Sequence, residues 1–306
     1  MTPRMLKAII AFHLLSLYFC TPYVYAVEYE IDEKINLSYY PKGHENHSEL
    51  TQVNLLIPKG VENPPVLIWI GGGAWAYVNR HNEMDLSRQI AKRGILVVSA
   101  GHRLSPALLG EEKHHEGIQH PEHIKDIARA FKWVYDQAEV YGYSTDNIFV
   151  GGFSSGAHLS TLLVADKRYL AEYGLTPANV NAIIPVAGGY DIPEYRDLLV
   201  SVDPSYEQNH IHAVFGSTNE DHIDASPITY IEDFNTTMLL FSESDTFQYS
   251  FGFEQQLRDR GFRDFQVVNA YDETHASLWT KMSHQENYGY RNLLVDFILS
   301  HVRRDN

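Results

Sequence analysis

From about residue 50 onward, short continuous runs of apolar residues alternate with longer stretches whose apolar residues recur at helical spacing. The runs fall at 51–57 (closed by Pro58), 66–70, 95–99, 147–150, 182–187, 238–241 and 265–268. A strand that is apolar on every side chain is buried on both faces, as strands of a largely parallel sheet are. The intervening helical stretches are 84–93, 121–141, 155–164, 249–260 and 290–302, with Gly94 and Gly142 placed to end the first two. Strands alternating with helices predict an α/β fold with helices on both faces of the sheet. Residues 189–235 interrupt the alternation. They are rich in Tyr, Asp, Pro and His and show no long apolar period. They are expected to form an excursion over the edge of the sheet where ligands bind.

Composition narrows the classes. The chain has 306 residues, 44% hydrophobic and 21% charged, which excludes a mostly disordered chain and a multi-span membrane protein. The formal net charge of −15 repels phosphate backbones, so no nucleic-acid partner is expected. Cys20 is the only cysteine, which leaves no disulfide scaffold and no thiolate chemistry. Arg4 and Lys7, the apolar run 8–20 and the small residues ending at Ala26 have the layout of a secretory signal peptide. The run is shorter than the roughly 20 residues needed to span a bilayer. The expectation is therefore a signal peptide over 1–26, one domain over 27–306, a secreted or periplasmic location, and no stable membrane span after cleavage.

Gly152-Phe-Ser-Ser-Gly156 fits G-x-S-x-G, directly after one apolar run and directly before a helical stretch. So tight a strand-to-helix turn needs glycine two residues either side of the serine, and it lifts the serine oxygen to the carboxyl end of the sheet. A serine hydroxyl needs a base, and the base an orienting carboxylate. His275 follows the last predicted strand and Asp245 the one before it, so both point at the edge that holds Ser154. The chain order Ser154, Asp245, His275 is that of a serine hydrolase triad on a parallel sheet. Glu243 and Asp272 are the rival carboxylates; one lies close to the strand end, the other on the histidine's own loop. The glycine triplet 71–73 after the strand 66–70, with the N–H of Ser155, offers donors for an oxyanion. Trp75, at the end of that loop, and Tyr190, in the excursion, are candidates for substrate contact. His114, His115, His120 and His123 cluster among glutamates, but their irregular spacing favours a solvated loop over a zinc site, so no metal is expected.

The set Gly71-Gly-Gly-Ala-Trp75, His102-Arg-Leu-Ser-Pro106, Asp126 with Trp133, Gly152-Phe-Ser-Ser-Gly-Ala-His158, Ala225-Ser-Pro-Ile-Thr-Tyr230 and Thr274-His275 resembles the α/β-hydrolase serine esterases. Within them it is most similar to the hormone-sensitive-lipase-like and feruloyl/acetyl esterase (BD-FAE-type) branch. The resemblance spans about residues 50–302. It implies an eight-stranded, mostly parallel sheet and no cofactor. It implies Ser154 as nucleophile, His275 as base, Asp245 as its orienter, and Gly73, Ala74 and Ser155 as oxyanion donors. Two positions depart from the family. Its oxyanion loop usually begins with a buttressing histidine, where this chain has Gly71. Its tyrosine before Arg-Leu-Ser-Pro is His102 here, which makes His102 the expected occupant of the vacated space. The short, polar excursion points to small or short-chain acyl esters as the small-molecule substrates. The alternatives are an amidase resembling kynurenine formamidase and a catalytically weakened binding protein on the same fold.

Overall fold

The computed structural model describes residues 28–109 and 113–303. The expected signal peptide, residues 1–26, lies outside them, as do Glu111 and Glu112 of the histidine-rich loop. Eight strands form one sheet: β1 (Ile31–Ser38), β2 (Gln52–Pro58), β3 (Val66–Ile70), β4 (Leu96–Ala100), β5 (Ile148–Phe153), β6 (Ala182–Val186), β7 (Thr237–Glu243) and β8 (Phe265–Ala270). Their spatial order is β1-β2-β4-β3-β5-β6-β7-β8. β1 and β2 pair antiparallel, as do β2 and β4, and every pair from β4 to β8 is parallel. The carboxyl ends of β3 through β8 therefore open on one edge of the sheet.

The alternating sides of these strands build two cores. Val66, Ile68, Ile70, Val150 and Ile183 pack against the helices Glu122–Asp136 and Ser155–Ala165. Leu67, Trp69, Phe149, Ile184 and Phe241 face the opposite way, onto Met84–Ala91, His275–His284 and Gly289–Ser300. Each residue of β3, β4, β5 and β6 is thus buried on one face or the other. That explains the unbroken apolar runs, at about 25 cal/mol per Å² of area buried.

One expectation needs correction, that of a single helix over 121–141, and two features lay beyond the sequence reading. β1 had no signal in the sequence: its middle residues are exposed, and a register shift between Lys34 and Leu37 breaks its alternation. The stretch 121–141 is not one helix, because Gln137 ends the first and Ala138–Tyr141 forms a separate turn capped by left-handed Gly142. The excursion 189–235 is not irregular throughout. It holds the helix Ile192–Val202, begun by the Asp191 side chain accepting from the Glu194 N–H, and further short turns.

Candidate active site

Ser154 sits at the junction of β5 and the helix Ser155–Ala165 with φ 54° and ψ −116°. That is a strained conformation for a residue with a Cβ, and such strain is found where the surrounding structure imposes it. The imposing contacts are steric. A Cβ at Gly156 would lie 2.0 Å from the Ile70 carbonyl oxygen, and one at Gly152 would lie 2.5 Å from the Gly156 backbone. The two glycines let β5, the helix and the end of β3 approach within backbone contact. Gly72 does the same for the next loop: its Cβ would lie 2.8 Å from the Phe153 ring and 3.2 Å from the Ser154 Cβ.

His275 opens the helix His275–His284, whose first turn is closed by a Thr274–Ser277 capping box. Its ring lies 4.6 Å from that of Phe153, centroid to centroid. Ser154 and His275 line the same two cavities, although no hydrogen bond joins their side chains in this structure. In unliganded serine hydrolases that bond is often long and tightens when substrate arrives.

The carboxylate at the histidine is Glu243, not Asp245. His275 Nδ1 lies 3.0 Å from Glu243 Oε1, and Glu243 is fully buried. The second oxygen of Glu243 accepts the Asp245 N–H at 2.5 Å. Burial pushes the Glu243 carboxyl up, but the bonds from His275 and from the Asp245 N–H outweigh it and hold the group below the usual carboxylate range. Asp245 is exposed and does a different job: its Oδ2 accepts the backbone N–H of His275 at 2.9 Å. The expectation failed because it treated the strand end as too close to the sheet. Glu243 is the last residue of β7, paired with Ala270 of β8, and its side chain spans the gap to the loop that follows β8. The available signal was a glutamate closing a buried apolar strand, where burial without a partner is costly. Asp272, the other rival, accepts from the Tyr290 hydroxyl at 2.7 Å instead.

The loop after β3 turns through three consecutive residues at positive φ: Gly73 at 146°, Ala74 at 49° and Trp75 at 59°. The Gly73 carbonyl is taken by the N–H groups of Ala76 and Tyr77, which fixes the turn. Among the described residues, the N–H groups of Gly73, Ala74 and Ser155 have no acceptor, so they remain available to a ligand. Ala74, Ser154 and Ser155 line one cavity together.

Two cavities meet at Ser154. The smaller, about 130 Å³, is walled by Trp75, Gly188, Gly189, Tyr195, Thr246 and Tyr249. The larger, about 330 Å³, is open and bordered by Gly72, Tyr77, Phe153 and Trp279. Trp75 is thus placed in the cavity wall, held by its indole N–H on His158 Nδ1 at 3.3 Å. The other nitrogen of His158 meets the Ala225 carbonyl at 2.7 Å, and burial lowers the imidazole to about 3, so it is a neutral, satisfied bracket. Tyr190 is not at the site. It is fully buried and stacks on Phe253 with ring centroids 4.5 Å apart. Tyr195 lines the cavity in its place, with its hydroxyl 2.9 Å from His210 Nε2.

The histidine-rich loop disperses to separate partners. His114 meets the Ser105 carbonyl, His120 meets Asp224, and His123 meets the Ser105 hydroxyl. No group of three metal-ligating side chains assembles among the described residues. His102 does not fill the space beside Gly71: its ring bonds the Arg103 carbonyl at 2.7 Å and packs edge-on against His123. That space belongs to Glu83. A Cβ at position 71 would lie 2.9 Å from both Glu83 Cγ and Oε1.

The eight-stranded sheet, the strained serine after β5 and the histidine after β8 are the frame of an α/β-hydrolase fold, with Ser154 as the candidate nucleophile. Residues 53–247 match the BD-FAE family model, and the chain belongs to that family. It is 29% identical over 232 residues to a probable carboxylic ester hydrolase, LipM, of Mycobacterium tuberculosis (strain ATCC 25618 / H37Rv), covering 73% of this chain and 51% of the relative. It is likewise 29% identical over 238 residues to the esterase LipQ of the same organism, covering 74% of this chain and 53% of the relative. The chain therefore spans about half the length of these relatives. Among solved structures, a truncated carbohydrate esterase from gut microbiota superposes with a TM-score of 0.69 at 18% identity, over 90% of this chain and 97% of that one. An esterase of Pyrobaculum calidifontis gives 0.63 at 19% identity, over 82% and 80%. These likenesses establish the fold.

Proposed function

We propose that the protein is a serine carboxylesterase acting on small or short-chain acyl esters. The observation that carries the reading is the meeting of Ser154, His275 and Glu243 beside three unengaged backbone N–H groups on one edge of the sheet. In this mechanism Ser154 Oγ attacks the ester carbonyl and its proton passes to His275 Nε2. The bond from His275 Nδ1–H to Glu243 fixes the ring and stabilises the imidazolium. The carbonyl oxygen, now an anion, is held by the N–H groups of Ala74 and Ser155, with Gly73 beside them. The carbon–oxygen bond to the alcohol then breaks, and His275 gives the departing oxygen its proton. Water, deprotonated by the same histidine, releases the acid from Ser154 and restores the enzyme.

The two cavities assign the two halves of the ester. The acyl group stays on Ser154 between steps and needs a sheltered place, for which the smaller and less open 130 Å³ cavity is the better fit. The alcohol must leave, and the open cleft bordered by Tyr77, Phe153 and Trp279 gives it a way out and a ring face to stack on. The test is hydrolysis of p-nitrophenyl esters from acetate to long chains by the purified protein beside Ser154→Ala. Turnover that peaks on the shortest chains and disappears in the variant supports the reading; a folded wild type inactive on every ester overturns it. The signal-like segment 1–26 supports a secreted or periplasmic location. Amino-terminal sequencing of exported protein beginning after Ala26 checks it.

A further inference from the structure

Glu83 closes the short turn Arg80–Glu83, beyond the oxyanion loop, and is 2% exposed. It has no salt-bridge partner among the described residues. Its Oε2 accepts two indole N–H groups, from Trp69 at 2.9 Å and from Trp279 at 3.4 Å. Trp69 is the penultimate residue of β3, so the chain passes from it through Ile70 into the oxyanion loop. Trp279 stands one helical turn after His275 on the same helix and borders the open cleft. One carboxylate oxygen thus joins the strand that aims the oxyanion donors to the helix that carries the base. The rest of the side chain fills the volume beside Gly71, with Cγ and Oε1 both 2.9 Å from where a Cβ would stand.

We propose that Glu83 is a positioning residue of the active site, which buttresses the oxyanion loop in the space left by Gly71 and sets its distance from the His275 helix. The proposal rests on the esterase reading for its kinetic effect, but not for its geometry. A buried carboxylate with no cation is a costly way to fill space, and an apolar side chain of the same size would fill it better. What the apolar side chain lacks is an acceptor for two indoles from different elements. Burial raises the Glu83 carboxyl, and the two indole donors oppose that rise. The role needs an acceptor oxygen rather than a charge, so glutamine can serve.

The experiment compares wild type, Glu83→Leu, Glu83→Gln, Gly71→His, Glu83→Ala and the pair Gly71→His with Glu83→Ala. Each is assayed on p-nitrophenyl acetate with rates normalised to titrated active sites, and Ser154→Ala serves as the control. Glu83→Leu keeps the volume and loses the acceptor. It is expected to lower kcat by about 10- to 100-fold with KM nearly unchanged, as displacement of preorganised donors does. Glu83→Gln is expected to stay within about threefold of wild type, since its carbonyl still accepts. Gly71→His alone displaces Glu83 and is expected to lose as much as Glu83→Ala. The pair is expected to recover activity above either single change, because imidazole then takes the carboxylate's place.

A second readout needs no turnover. The chain has four tryptophans, and in a ¹⁵N-labelled sample two of the four indole resonances, those of Trp69 and Trp279, are expected to move in the Glu83 variants. A Glu83→Leu enzyme with kcat within about twofold of wild type overturns the proposal, as does a pair no better than its worse member. Should Leu fail to fold, Glu83→Ala, which also loses the acceptor, with unmoved indole resonances overturns it equally. An inactive but folded wild type sinks the esterase reading instead, and leaves the indole shifts to decide the geometry.

Discussion

Glu243 and Asp245 stand two residues apart and both touch His275, yet only one of them can steady the ring. Glu243 holds Nδ1 and Asp245 holds the backbone N–H. Glu243→Gln is therefore expected to cut kcat by roughly 10³ to 10⁴, since an amide in this place favours the wrong tautomer. Asp245→Asn keeps a carbonyl oxygen for the His275 N–H and is expected to cost no more than about tenfold. Steady-state kinetics of the two variants, normalised to active sites, separate the roles; the reverse ranking would return Asp245 to the catalytic position. That Ser154 and His275 share one edge of the sheet could be read from the sequence, because a local pattern and a place after a strand locate them. Glu243 could not, because the choice between two carboxylates so close together depends on the path of β7 in its last residue. The use of Glu83 beside Gly71 was equally hidden, since the two meet only when the loop after β3 folds back.

At the scale of single elements, glycine shows how the same substitution takes opposite signs. Gly156→Ala pushes a Cβ to 2.0 Å from the Ile70 carbonyl oxygen, and neither backbone can yield without opening the sheet beside the nucleophile. It is expected to cost about 3 kcal/mol or more, seen as a fall in the urea midpoint or as insoluble protein. Gly289, first in the helix Gly289–Ser300, has an ordinary φ and open space around its Cβ position. Gly289→Ala is expected to raise stability by about 0.5 kcal/mol in the same titration, by restricting the unfolded chain. Elements covered on both faces were legible because burial leaves a continuous apolar record, as in β3, β4 and β5. β1 and the helix Ile192–Val202 were not: β1 lies at an edge with exposed polar side chains, and in the helix only Ile192 is buried.

Across the whole molecule, His102, His120, His123, His158 and His210 are all held below the ordinary imidazole range, in each case first by burial. His158 falls to about 3 and His210 to about 4. Above the unfolded value of about 6.5 both states are neutral and nothing depends on pH. Below it the unfolded chain takes up protons that the folded one refuses. Each such histidine then removes roughly 1.4 kcal/mol per pH unit until its folded value is reached. Thermal melts between pH 7 and pH 4 are expected to show a steep, cooperative loss of stability beginning near pH 6.5. His158→Gln should flatten that slope even as it lowers stability at pH 7; an unchanged slope would show that His158 does not contribute. A lone cysteine can form no internal disulfide, so reductant should leave these melts unchanged. The α/β class and the single site edge were readable from strand–helix alternation. The spatial order of the strands was not, because period and burial do not record which neighbours pair.

That order has a consequence for the protein as it is being made. β5, β6, β7 and β8 are laid side by side in the order in which they are synthesised. Ser154 leaves the ribosome just after the first of them, Glu243 ends the third, and His275 follows the last. A growing chain can complete the oxyanion loop and the turn at Ser154 while the base and its carboxylate have yet to be translated. On the proposed esterase reading, the nascent protein is therefore inert until β8 docks at the margin of the sheet and brings His275 to Ser154.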